Sequence, residues 1–261
     1  PVVTEPPARD SGYVQSLERG LAVIRALSDP EPQTLSDVAR TTGLSRAASR
    51  RFLLTLERLG YVRRSDTRFA LTPQALELGH AYLSSLTLPE VAQPHLVALG
   101  ERVHESSSVS VLDGSDVVYV ARVSTRRIMT VAITVGTRFP AHLTSMGRVL
   151  LAGLDPAERA EFLDHAEFTP VTGSTITTRA ALERELDEVA LAGHAVVDQE
   201  LEIGLRSIAV PIRNPAGTVV AAVNLSVSAA AMTVTQMRQR LLPALRDTAT
   251  AIERDLAMAR G

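Results

Sequence analysis

The apolar positions of the chain change period several times, and each change marks an element. Val14, Leu17, Leu21, Ile24 and Leu27 keep the three- and four-residue spacing of one helical face, and the stripe stops at Asp29-Pro30-Glu31-Pro32, where proline ends a helix. A shorter helical segment comes next, with Leu35, Val38 and Ala39 on one side, Thr34 placed to cap it and Asp37 at the positive end of its dipole. Thr42-Gly43-Leu44-Ser45 then supplies a turn in which Gly43 can take a positive φ, Leu44 can pack inward and Ser45 can cap a second helix. That second helix, Arg46 to Leu59, places Ala48, Phe52, Leu56 and Leu59 on its apolar side and gathers Ser45, Arg46, Ser49 and Arg50 at its exposed N-terminal end. Beyond Gly60 the residues are β-prone: Tyr61 to Arg64 and Arg68 to Leu71 read as strands around a Ser65-Asp66-Thr67 turn.

Thr72-Pro73 opens another helix, with Leu76, Ala81, Leu83 and Leu86 on its apolar side. From Pro89 onward long helices alternate with β-rich runs. Helices are expected at about 90–104, 145–152, 178–192 and from Thr233. Strands are expected at about 107–112, 117–123, 129–135, 195–199, 207–213 and 219–227. Strands between helices would also suit a parallel doubly wound sheet. Hairpin turns at Asp113-Gly114 and Asn214-Pro215-Ala216-Gly217 favour a mainly antiparallel sheet flanked by helices, an α+β arrangement. The division read from these patterns is a flexible tail over 1–12, a winged helix-turn-helix over 13–72, a linker helix over 73–88 and a larger domain over 89–261.

Charge obeys that division. From Ser11 to Ser85 there are 10 Arg against 7 acidic residues, whereas Leu86 to Gly261 has 16 Arg against 20, so positive charge sits with the small module. Alone, Arg46, Arg50 and Arg51 would read as solvating an amphipathic helix. The order helix, turn, helix, wing decides for double-stranded DNA: an arginine fork suits guanine edges and phosphates, and a helix N-terminus adds its own positive field. Arg64 and Arg68 flank the tip of the wing, where they can straddle a phosphate backbone. Cysteine is absent, which excludes disulfides and thiolate catalysis. No apolar run reaches membrane-spanning length and no signal-peptide pattern opens the chain, so a soluble cytoplasmic protein without membrane partners is expected.

The chain resembles the IclR family of bacterial transcriptional regulators from about Tyr13 onward. The motifs are Ser16-Leu17-Glu18-Arg19-Gly20-Leu21, the Leu-Ser-Asp-Val-Ala run from Leu35, Gly43-Leu44-Ser45-Arg46, and Gly204-Leu205-Arg206-Ser207-Ile208-Ala209-Val210-Pro211. The runs Met129 to Ile133, Arg138 to His142 and Thr144 to Ala152 resemble the branch that controls protocatechuate and β-ketoadipate catabolism. The resemblance implies a winged helix-turn-helix joined by a linker helix to a GAF-like domain that binds a small organic acid, in a homodimer or tetramer on operator DNA, with no cofactor. It also implies effector contacts at Ile128, Val131, Ser145, Met146, Leu205, Ser207, Asn224 and Ser226. The family's acidic contact before the Gly-Leu-Arg run falls on Val197, one residue before Asp198, and Asp198 is carried as its counterpart.

Hydroxyls and an amide on an apolar wall suit an oxyacid. For its carboxylate the candidates are Arg126, Arg127, Arg148 and Arg206, each of which could equally solvate the surface or sit in a structural ion pair. Ile128 and Val131 could equally be plain core, and Met146 a gap-filler. The competing class is an enzyme acting on a small organic acid. The sequence has no Gly-x-Ser-x-Gly elbow, Walker loop or Gly-x-Gly-x-x-Gly, and its six histidines (His80, His95, His104, His142, His165 and His194) never fall at the three- or four-residue spacing of a helical metal pair. His142 near Ser145 could be drawn as a dyad but has no evident orienting acid. The expectation is therefore a ligand-responsive regulator, with neither catalytic nor metal residues.

Overall fold

The computed structural model describes residues 13–28, 31–78, 87–125 and 133–259. The chain divides into two compact units, Pro1–Ser85 and Leu86–Gly261. The first unit contains α1 (Gln15–Ala26), β1 (Gln33–Thr34), α2 (Leu35–Thr42), α3 (Arg46–Arg58), β2 (Val62–Ser65) and β3 (Arg68–Leu71). α2 starts in a capping box: Thr34 Oγ1 accepts from the Asp37 backbone N–H, and the Asp37 carboxylate accepts from the Thr34 backbone N–H at 3.1 Å. It ends at Gly43, whose φ of 66° a side chain would strain. Ser45 caps α3 by accepting from Ala48 N. The wing turns at Asp66, and its strands pair antiparallel, with β1 added on the far side of β3. That third strand went unseen in the sequence because a two-residue strand carries no periodicity.

Val23, Leu27, Val38, Leu53, Leu56, Val62 and Phe69 form this unit's core. Two expected faces are rotated. On α1, Val23 and Leu27 point inward with Ile24 half-buried, while Val14, Leu17 and Leu21 are exposed; helical spacing marks an apolar row without saying which of two rows meets the core. On α3 the buried stripe is Ser49, Leu53 and Leu56, with Phe52 half-buried and Leu59 largely outside. The expected linker helix opens with a 3-10 turn, Pro73–Leu76, and residues 79–86 lie outside the described residues.

The second unit contains α4 (Thr87–Val103), β4 (Ser106–Asp113), β5 (Asp116–Val123), β6 (Arg138–Pro140), α5 (Ser145–Ala152), α6 (Pro156–His165), α7 (Arg179–Ala192), β7 (Ala195–Asp198), β8 (Leu205–Arg213), β9 (Val219–Ser228), α8 (Val234–Arg240) and α9 (Leu242–Ala259). The sheet order is β6-β5-β4-β9-β8-β7, and every pairing is antiparallel, as the two hairpin turns implied. α6 was not anticipated, although Asp155 and Glu158 form a capping box around Pro156. The strand expected at 129–135 lies mostly outside the described residues, and the strand that pairs with β5 on the side away from β4 is β6.

Each face of the sheet has its own core. Val109, Val120, Ile208, Val210, Ile212, Val223 and Leu225 pack with α4 and α9; Val117, Tyr119, Ala195, Ala209 and Ala222 pack with α5, α6 and α7. Period-two alternation separates the two sets. It also sorts polar residues: Ser106, Ser108, Ser110, Arg122, Ser207, Asn224 and Ser226 share the second face with Tyr119, as their cross-strand pairing requires.

Candidate nucleic-acid interface and ligand pocket

On α3, Arg46, Arg50 and Arg51 lie beyond the Ser45 cap, Arg50 and Arg51 exposed, and make no ion pair among the described residues. Arg46 and Arg50, four apart, share one face. Ser49 does not join them: it is fully buried, its Oγ lacks a hydrogen-bond partner, and it sits one turn before Leu53 on the core side. Its expected role at the surface is corrected by helical phase. In the wing, Arg64 reaches Glu57 of α3 at 3.5 Å, and Arg68 donates to the Pro32 carbonyl at 2.8 Å, bracing the start of β1. Arg63, not singled out in the sequence, is exposed beside them.

In the second unit Leu205, Ser207, Asn224 and Ser226 come together around a small cavity of about 20 Å³, with Tyr119, Leu143, Thr144, Val197 and Leu201 completing its walls. That is room for one water. A larger surface groove of about 440 Å³ beside α6 is lined by Glu158 and Glu161, both exposed, and no unpartnered buried polar atom lies among its described residues. At the smaller cavity and on its sheet face the opposite holds: Asn224 Oδ1, Ser110 Oγ and Arg122 Nε are buried without partners, as is Ser145 Oγ directly after the lining residue Thr144. Each such atom forfeits its hydration, so a cluster of them marks a place built for something else.

The other expected positions are distributed differently. Met146 is fully buried in the core between sheet and helices. Val197 lines the cavity, and by alternation Asp198 faces the opposite side of β7, where its carboxylate accepts from Arg206 Nε at 2.6 Å. Arg206 also donates to the carbonyls of Ala229 and Met232, at 2.8 Å each, and so clamps the end of β9. Arg148 is buried on α5, with Glu200 as its counter-charge and the His142 carbonyl accepting from its Nε at 3.0 Å. Arg148 and Arg206 are thus committed to the fold, which removes them as free carboxylate anchors. Arg126, Arg127, Ile128 and Val131 lie outside the described residues. The His142–Ser145 dyad does not form, because Ser145 Oγ has no partner, and burial together with Arg148 pushes the His142 pKa below its ordinary value.

Sequence reading missed Tyr119, Leu143, Thr144 and Leu201, which look like ordinary strand, turn and loop residues until the sheet is assembled. One signal was present. Ser106-Ser107-Ser108-Val109-Ser110 places serines where a buried strand ordinarily carries β-branched residues, and all four are buried. Burial pushes the Tyr119 hydroxyl up to about 12, with Arg122 pulling the other way, and the Tyr119 ring meets Phe139 edge-on at 5.9 Å.

Residues 16–66 match the IclR helix-turn-helix domain and residues 80–254 the C-terminal domain of the bacterial transcriptional regulator IclR. The chain belongs to the IclR family. This IclR-family regulator is 41% identical to the Pca regulon regulatory protein of Pseudomonas putida over 264 residues, covering 98% of this chain and 89% of that one. A crystal structure of a transcriptional regulator from Rhodococcus sp. RHA1 is 58% identical, with a TM-score of 0.84 over 95% of this chain and 100% of that one. The structure of an IclR homologue from Microbacterium hydrocarbonoxydans, complexed with 4-hydroxybenzoate, is 29% identical, with a TM-score of 0.80 over 92% of this chain and 98% of that one. The chain is also 35% identical to the p-hydroxybenzoate hydroxylase transcriptional activator of Acinetobacter baylyi, covering 94% of this chain and 92% of that one. Among the described residues no helix is long and apolar enough to cross a membrane.

Proposed function

We propose that residues 13–72 read operator DNA, that 73–88 is a linker helix, and that 89–261 bind a small organic acid of aromatic catabolism, protocatechuate, β-ketoadipate or a relative. The acid modulates operator affinity, and the working form is a cytoplasmic homodimer or tetramer. One winged helix covers too little groove for selective binding, so two modules act on paired half-sites. Arg46, Arg50 and Arg51 contact bases and phosphates at the α3 N-terminus, and Arg63, Arg64 and Arg68 hold the backbone from the wing. Ser207, Asn224 and Ser226 hold the polar groups of the effector, with its ring or chain against Leu143, Val197, Leu201 and Leu205.

The observation that carries the effector reading is the set of unpartnered buried polar atoms on one sheet face, Asn224 Oδ1 foremost, beside a cavity walled by apolar side chains. The cavity has room for only one water, so the effector enters by displacing apolar side chains and stabilises a form of the pocket wider than this one. Binding without chemistry suits this site: Ser145, the serine nearest His142 in the chain, is hydrogen-bonded to no base, and His142 is engaged in packing against Phe168.

Calorimetric titration of the full chain with protocatechuate, 4-hydroxybenzoate and β-ketoadipate tests this. At least one acid binds, and Ser207→Leu, which fills the cavity, abolishes binding while leaving operator affinity without effector unchanged. The acid that binds shifts operator affinity by roughly 5- to 150-fold, the range of ordinary allosteric coupling, and operator DNA shifts the acid's affinity by the same factor. Absence of binding by all three, or normal binding by Ser207→Leu, overturns the assignment of this pocket.

A further inference from the structure

Arg122 stands out among the cations of the second unit. Arg102, Arg138, Arg148, Arg159, Arg179, Arg206 and Arg254 all face a carboxylate, and Arg184, Arg213, Arg238, Arg240 and Arg246, which pair with none among the described residues, are exposed. Arg122 is half-buried, meets no acid among the described residues and has a neutral hydroxyl for its side-chain partner: its guanidinium donates to Ser108 Oγ at 2.9 Å. Its Nε is buried with no partner at all. Burial lowers its pKa from the ordinary value, but an arginine keeps its proton. A desolvated cation without a counter-charge is unfavourable unless the empty protein is one half of a pair.

Its position says where the other half goes. Arg122 pairs across β5–β4 with Ser108, and Ser108 pairs across β4–β9 with Asn224, a wall of the cavity; Tyr119, another wall, lies on the same face. The side chain leaves β5 and lies over β4, so its charge sits one strand from Asn224, whose Oδ1 is itself unpartnered. Ser108 stands opposite Asn224 and, two strands away, Ala209; Ser207 lies two residues further along β8, so Ser108 and Ser207 are about 12 Å apart. A benzene ring carrying a carboxylate at one end and a hydroxyl at the other spans that gap with a hydrogen bond at each end.

We propose that Arg122, with Ser108 holding its guanidinium, is the specificity-determining cation that selects a carboxylate-bearing aromatic effector, its carboxylate on Arg122 and its ring hydroxyl toward Ser207. This rests on the effector reading of the same pocket. It replaces Arg148 and Arg206, whose charges are spent within the protein. It also separates the two polar ends of the pocket: the Arg122 end discriminates anion from neutral ligand, and the Ser207 end is where a hydroxylated ring is distinguished from a bare one.

The test is calorimetry on the full chain with 4-hydroxybenzoate and its uncharged relative 4-hydroxybenzamide, repeated with protocatechuate. Wild-type protein binds the acid about ten-fold or more tighter than the amide, the scale of a charge-assisted hydrogen bond over a neutral one. Arg122→Gln loses that preference while its affinity for the amide stays near the wild-type value, and Arg122→Lys keeps most of it. Because Arg122→Gln removes an uncompensated charge, the ligand-free variant melts at or above the wild-type temperature, so loss of acid binding is not unfolding. If Arg122→Gln still prefers acid to amide while Ser207→Leu binds neither, the pocket stands and its anion site lies elsewhere. If wild-type protein binds none of these compounds, the pocket reading falls and the role of Arg122 with it.

Discussion

Arg148 donates both terminal nitrogens of its guanidinium to the two carboxylate oxygens of Glu200, at 2.8 and 2.5 Å, with the arginine 1% exposed. Glu200 also accepts from Ile176 N at 3.2 Å, and Arg148 Nε holds the His142 carbonyl. One bidentate pair therefore ties the first turn of α5 to the segment before α7 and to the loop between β7 and β8. The segment leading into α5 carries Leu143 and Thr144 into the cavity wall, and the β7–β8 loop carries Leu201.

Removing one partner of this pair leaves a buried charge alone. Arg148→Met is expected to cost about 3 to 5 kcal/mol in urea unfolding, while Arg148→Met with Glu200→Leu costs less than either single change because no charge is left uncompensated. Additive losses in the double variant would show that the pair does not act as a unit.

Arg46→Ala and Arg50→Ala should each weaken operator binding by about 1 to 3 kcal/mol and relax sequence preference, whereas Arg64→Ala weakens binding to all sequences alike and lowers the salt dependence. Ser49→Ala is the control: its Oγ is buried and unpartnered, so DNA affinity in a gel-shift titration does not change. Loss of binding by Ser49→Ala would contradict the phase of α3.

Gly147→Ala drives a Cβ into the Ala141 carbonyl oxygen, a backbone atom that cannot swing aside. The start of α5 must shift, at a cost of about 1 to 3 kcal/mol as in other overpacked sites. Leu143 and Thr144 move with it, so effector affinity falls together with the melting temperature. Unchanged effector affinity in this variant would separate the α5 start from the pocket.

His142 is buried, with its pKa held below the ordinary 6.5 by desolvation first and by Arg148 second, and burial shifts His194 in the same direction. A histidine kept neutral in the fold stabilises it fully above pH 6.5, and that contribution is lost as the unfolded chain takes up the proton while pH falls from 6.5 toward the folded-state value. Unfolding free energy should therefore decline as pH falls below about 7, and His142→Gln should flatten part of that decline. An unchanged slope in the variant would remove His142 from the account.

The small unit was largely legible because its signals are local. Thr34 with Asp37, Gly43 and Ser45 act within three or four residues of themselves, so the capping box, the left-handed turn and the second cap could be read before any tertiary contact was known. In the larger unit Asp113-Gly114 and Asn214 to Gly217 marked two hairpins and hence an antiparallel sheet, because a two-strand turn is also a local event. Helix faces were read less well: Leu17 and Leu21 keep helical spacing as faithfully as Val23 and Leu27 do, and only docking against α2 and α3 separates the rows.

The sequence by itself determined most of the elements and their order, the arginine cluster at the start of α3 and, through its motifs, the family, since each rests on neighbours along the chain. Tertiary structure alone decided which charges are free. Arg122, Arg148 and Arg206 are alike as residues, yet Glu200 and Asp198 neutralise two of them and Ser108 merely holds the third. It also decided that Tyr119, Val197, Ser207 and Asn224, from four strands, face one cavity, because cross-strand register, which no single segment encodes, sets which side chains share a face and what lies within their reach.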